Sequence, residues 1–262
     1  IPTTIKVYAD NDNNSVDTYE NALGAETNVD ETAKYKALDC VLDTPVAKVG
    51  NTEYYNINNA IANWTAGSTL TLLTDVTLSD VITLKSTEHH ILNLDKYTMT
   101  AAEGKNAIEI KSYGFENRSE RAALTINAKT DEIDPNKIGT IHAGAKSCIY
   151  YKYDATLAGD KYDRPIIYIN GGVYEGSSYS GISSTGHNTA QDKCATFNIS
   201  GGTFNCGLNL TKTKLLTSGG LFNKSVSCTG GSTSIRLISG GTFKSWGWMT
   251  ADAASKFAVG TA

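Results

Sequence analysis

Apolar residues along this chain come in short runs with a two-residue period. "TLTLL" (69–73), "VITLK" (81–85), "HILNL" (90–94), "AIEI" (107–110), "ALTIN" (123–127) and "GTIHA" (139–143) each alternate apolar and polar positions. That period puts every second side chain on one face, as in a strand with one buried side. Asn, Asp, Gly, Ser and Lys separate the runs, and most of these favour turns. No long stretch of helical period lies between them. The pattern predicts a coiled sheet of many short strands rather than a doubly wound α/β fold.

Further along, one six-residue string repeats. "ISGGTF" stands at 199–204 and again at 238–243, with looser copies "INGGVY" (169–174) and "TSGGLF" (217–222). Two residues before each glycine pair stand Ile169, Ile199, Thr217 and Ile238, and two residues after it Tyr174, Phe204, Phe222 and Phe243. The spacings are 30, 18 and 21 residues, so the motif is regular and insertions belong to loops. A glycine pair admits backbone conformations closed to other residues and so makes a sharp corner. If each copy is one turn of a coil, equivalent residues stack about 4.8 Å apart. The four aromatics then form one interior ladder and the aliphatics another. Each buried ring is worth roughly 1.5–3 kcal/mol. No turn can bury its inner face alone, so neighbouring turns must stack. Parallel crossovers are almost always right-handed, and the expected fold is all-β, a right-handed parallel β-helix.

One segment breaks the rhythm. In "NINNAIANW" (56–64), Ile57, Ala60, Ile61 and Trp64 share one helical face, with Asn56 as N-cap. So short a helix makes sense as a lid over the first coil. Before it, "VAKV" and "TEYY" flank Gly50-Asn51, a hairpin signal. Trp246, Trp248, Met249 and "AASKFAV" are expected to close the opposite end.

Size and charge narrow the classes. A chain of 262 residues holds one long domain, or one domain plus a small module. Residues 1–45 carry nine acidic and three basic residues and read as an acidic extension packing on the cap, with "VDETAKYKALDCVL" as a helix. Residues 46–262 read as the β-helix domain. In "DNDNNSVDTYEN" (10–21), Asp10, Asp12 and Asn14 with the Val16 carbonyl occupy the first half of a calcium loop. Ser15 replaces the turn glycine and Asn21 the closing Glu, so a polar loop is the competing reading. The formal net charge is −4 and no Lys/Arg run occurs, which argues against a nucleic-acid partner. No apolar run approaches the length of a membrane helix. The chain begins at Ile1, as a processed or trimmed chain would. Cys40, Cys148, Cys194, Cys206 and Cys228 lack CxxC spacing and read as buried fillers, with one disulfide as the alternative.

The order "VAKVGNTEYYNINNAIANWTAGSTLTLLTDVTL", "ILNLDKYTMT" and then I-x-G-G-T-F repeats resembles pectin-lyase-like parallel β-helix modules. The likeness covers residues 46 to about 250 and is strongest to repeat modules of large surface proteins of gut-dwelling bacteria. Ala66-Gly67-Ser68-Thr69 is similar to the family's "GDT" cap motif, with Ser68 in place of Asp. The superfamily includes lyases, glycosidases, adhesins and phage spikes, so the resemblance speaks for fold more than function.

A polysaccharide hydrolase needs two acidic groups about the scissile bond, and lyases of this superfamily use several Asp for calcium and a basic residue. The best set here is Asp163, Arg164, His187 and Asp192, in excursions of neighbouring coils. Polar loop residues without catalytic role are the simpler reading. "TGHN" (185–188) is only faintly similar to the Gly-His-Gly of pectin-cleaving hydrolases. His89 and His90 read as a strand edge, and His142 stands alone. Sugar-binding surfaces pair aromatic faces with polar groups. Tyr151, Tyr153, Tyr162, Tyr179, Trp246 and Trp248 are the candidates, against strand packing as the alternative. The expected protein is a monomeric, non-catalytic, extracellular module of a bacterial surface protein, adhesin-like, binding glycans or host proteins. A polysaccharide lyase or hydrolase is the second expectation, and a structural spacer or phage-tail-like part the third.

Overall fold

The computed structural model describes residues 44–114, 119–158, 162–186, 194–230, 236–246 and 257–259. The chain separates into two units, Ile1–Thr44 and Pro45–Ala262. All described residues but the first lie in the second unit. The calcium-loop residues Asp10, Asp12, Asn14 and Val16, and the helix read at 29–42, fall outside the described residues.

Among the described residues twenty strands form one sheet, almost all parallel. From Thr69 to Ile199 the pairing follows one rule: each strand bonds to the strand three places further on. Three ladders result. The first runs through Thr69–Leu72, His90–Asn93, Arg121–Asn127, Pro165–Ile169 and Thr196–Ile199. The second runs through Val76–Thr77, Thr98–Thr100, Thr140–His142, Val173–Glu175 and Thr203–Phe204. The third runs through Ile82–Lys85, Ile108–Lys111, Ile149–Lys152, Ile182–Thr185 and Leu208–Thr211. Lys214–Thr229 then joins all three ladders as one bent strand, and Arg236–Trp246 stacks on it. This connectivity is that of an all-β solenoid.

The apolar columns stack as the alternation requires. In the first ladder Leu70, Leu92, Ile126, Ile169, Ile199, Thr217 and Ile238 are in register. In the second, Tyr174, Phe204, Phe222 and Phe243 form a continuous stack. Their ring centroids are 4.9, 4.7 and 4.4 Å apart, with planes within 8° of parallel. The Tyr174 hydroxyl donates to the Gly171 carbonyl at 2.8 Å.

The glycine pairs serve two purposes. Each second glycine has φ near +100°, from +95° at Gly172 to +109° at Gly241, where a side chain is strained. Each first glycine from Gly201 onward lies against the carbonyl of the turn beneath. A Cβ on Gly201 would stand 2.8 Å from the Asn170 oxygen, and one on Gly219 would collide with the Ser200 oxygen. The corner is tight both along the chain and along the stack.

Beside these corners runs a polar column that is no part of the repeated string. Asn93 donates to Thr71, Asn127 to Asn93 at 2.9 Å, and Asn170 to Asn127 at 2.9 Å, while the Ser200 hydroxyl donates to Asn170 at 3.0 Å. Each amide donates downward and accepts from above, so the groups at the bend are paired.

The lid is present. Ala47–Val49 pairs antiparallel with Thr52–Tyr54 and with the first coil strand, and Gly50 turns the hairpin at φ +58°. Helix α1, Ile57–Ala62, is capped by the Asn56 side chain, which accepts from the Asn58 and Asn59 amides. Ile57 and Ala60 are buried. Trp64 lies past the helix end, yet remains buried and donates to the Ser68 carbonyl at 3.1 Å. Its ring meets His90 edge-on at 5.0 Å, and burial pushes the His90 imidazole down. Cys148, Cys194, Cys206 and Cys228 are buried free thiols. Among the described residues no helix is long and apolar enough to cross a membrane.

Candidate functional site

The site candidates divide by strand parity. Ile149–Lys152 sits between Ile108–Lys111 and Ile182–Thr185. Its register places Tyr151 over Ile110, inside the coil, and Tyr150 over Glu109, outside. Tyr151, expected at the surface, is fully buried, and burial pushes its phenol well up. Tyr153 packs against the core. The segment therefore turns Tyr150 and Lys152 outward instead of the two tyrosines named from sequence.

Asp163 is likewise a correction. It is fully buried. One carboxylate oxygen accepts from the Ser86 hydroxyl at 2.7 Å and the other from the Tyr151 hydroxyl at 2.8 Å. Burial pushes its carboxyl up to about 6, against the opposing pull of the Ser86, Tyr151 and Ser112 hydroxyls. This network holds an interior corner and offers no approach to a polymer.

Arg164 faces the other way. With Lys214 it clamps Glu120, at 2.6 and 2.8 Å, and the Lys214 ammonium, followed by the Arg164 guanidinium, holds that carboxyl low. Asp163 and Arg164 thus lie on opposite sides of the wall. Tyr162 is half-buried. His187, Asp192 and Trp248 fall outside the described residues, and Trp246 is described only as backbone in the last long strand. His142 is not alone: its Nδ1 lies 3.1 Å from Glu175, one turn on.

What the fold does assemble is a cleft where the second ladder turns into the third. It is open to solvent, offers about 460 Å³ and is lined by Asp80, Val81, Gly104, Lys105, Asn106, Glu109 and Lys146. These residues come from successive turns, because the same corner recurs in each. The polar groups are fixed in pairs. Lys105 meets Asp80 at 2.7 Å and the Val81 amide also donates to that carboxylate. Those donors, Lys105 first, hold the Asp80 carboxyl low. Asn106 donates to Glu109 at 2.9 Å and accepts from the Ser147 amide at 2.9 Å.

Two tyrosines stand on the turns above the cleft, outside its lining. Tyr150 stands one turn above Glu109 on the outer face, half-buried. Tyr179, at 78% exposure, projects from the next turn of the same corner, where the Ser177 amide donates to the Lys146 carbonyl at 2.8 Å. Of the named aromatics, Tyr179 alone is shown as strongly exposed among the described residues. Hydroxyl acceptors, ammonium and amide donors, and aromatic faces are the groups that bind a sugar ring. Among the described residues no group of three or more His, Cys, Asp or Glu is placed to hold a metal.

Neither a protein-family model, nor a curated protein, nor a solved structure matches the chain.

Proposed function

We propose that this chain is a non-catalytic, right-handed parallel β-helix of the pectin-lyase-like type. It acts as an extracellular module of a bacterial surface protein and binds a glycan at the corner cleft. The observation that carries this reading is the cleft itself: paired Asp80–Lys105 and Asn106–Glu109, with Lys146, Tyr150 and Tyr179 alongside. Each pair sets donors and acceptors before a ligand arrives, which lowers the ordering cost of binding. Against catalysis stands the placement of Asp163, buried and engaged by two hydroxyls. An adhesin or a scaffold-presenting module uses such a side wall without turnover.

The test is a glycan array with purified protein, beside assays for reducing ends and for unsaturated products. Wild-type protein is expected to retain a glycan, and Lys105→Ala with Glu109→Ala to lose at least tenfold in affinity. Product release that disappears with Glu109→Gln would replace this reading with a polysaccharide-cleaving enzyme. Absence of any retained glycan would favour a structural spacer.

A further inference from the structure

The outer face beside the cleft carries an unusual column. Lys85, Lys111 and Lys152 are in register on three successive turns, about 4.8 Å apart along the stack. Like charges directly opposed in neighbouring strands repel. Lys85 is answered by Glu88 at 2.9 Å, and Lys152 lies in the field of Asp154. Lys111, in the middle and half-buried, makes no ion pair among the described residues. The next column, two residues back along each strand, reads Thr83, Glu109 and Tyr150. Glu109 belongs to the cleft, and its negative charge disfavours an anion there. The lysine column stands about 6.8 Å away along the strand. The face is therefore polar across its width, with acceptors and a ring on one side and ammonium groups on the other.

We propose that Lys111 and Lys152 read an anionic substituent, a carboxylate or a sulfate ester, on the glycan held at the cleft; this rests on the glycan-binding reading above. The sugar ring lies over Glu109 and Tyr150, and the charged group reaches the lysines. An ammonium is a point charge without the planar fork of arginine, so the column reads charge and spacing rather than the shape of the anion. Above Lys152 the column continues as Thr185 and Thr211, whose hydroxyls extend the donor row.

Titration calorimetry with three probes tests this: hyaluronan oligosaccharide, chondroitin sulfate oligosaccharide, and carboxyl-reduced, uncharged hyaluronan oligosaccharide. The proteins are wild type and Lys111→Gln with Lys152→Gln, both checked for folding by circular dichroism. Wild type is expected to bind at least one charged probe ten times more tightly than the uncharged one, with an advantage that shrinks as salt rises. The double variant is expected to bind charged and uncharged probes alike. Preference for hyaluronan over its reduced form assigns a carboxylate, and preference for chondroitin sulfate alone assigns a sulfate. Equal binding of all three by wild type, or an undiminished preference in the variant, overturns the lysine assignment and leaves glycan binding intact. No binding of any probe overturns the lysine assignment, while the glycan-binding reading stands or falls on the array.

Discussion

Asp163 shows how a single side chain ties the coil to pH. In the unfolded chain its carboxyl titrates near 3.9; in the fold it titrates at about 6. The native state thus holds a proton that the unfolded state releases. Stability from this group is fully present below pH ~4 and is lost as pH rises through about 6. Across the whole range from below pH ~4 to well above pH ~6 this loss amounts to about 3 kcal/mol. Urea unfolding of wild type and Asp163→Asn at pH 4 and pH 7 isolates this group from the other carboxylates. Because the unfolded carboxyl is already about half ionised at pH 4, the variant is expected to gain about 2 kcal/mol on wild type between those two pH values. A difference that does not change with pH would mean that burial does not set this titration. The same residue marks where sequence reasoning stopped. Beside Arg164 and Pro165 it reads as an exposed loop acid, and only the path of the corner sends it inward. Tyr150 was within reach. "AIEI" and "CIYY" align on Ile108 and Ile149, and matching their parity would have turned Tyr150 outward and Tyr151 in.

At the scale of an element, the corner is the unit that the sequence spelled most clearly. The ring and aliphatic ladders followed from the repeated glycine-pair string, the hairpin from Gly50-Asn51, and the lid helix from its helical period. The asparagine column did not, since Asn is abundant and its downward hydrogen bonds appear only once the turns are in register. The ladder predicts a sharp response to truncation. Phe204 lies between Tyr174 and Phe222, in contact with both rings and with no exposure. Its neighbours are pinned by stacked backbones and cannot close the gap. Phe204→Ala is therefore expected to cost about 3–5 kcal/mol, measured by denaturant unfolding. Phe204→Leu should retain most of the volume and cost clearly less. Equal losses from both would show that the aromatic stack, rather than filled volume, carries the energy.

For the whole molecule, stacking makes stability a property of neighbours. Each turn touches only the turns above and below it, so the energy is a sum of local interfaces. An end turn has only one neighbour, and its exposed edge would pair with other chains unless covered. At the first turn the cover is α1 with Trp64, which seals Leu70 and His90 from water. Removing that indole should act locally. Trp64→Ala is expected to cost about 3–5 kcal/mol, and amide hydrogen exchange should show where it is lost. Protection should fall in Thr69–Leu72 and His90–Asn93, the strands beneath the lid, and remain near wild type in Thr196–Ile199 and Leu208–Thr211, several turns away. A uniform fall across all of these strands would mean that the coil opens as one cooperative block, and the lid would then be part of a single core instead of a seal on one end.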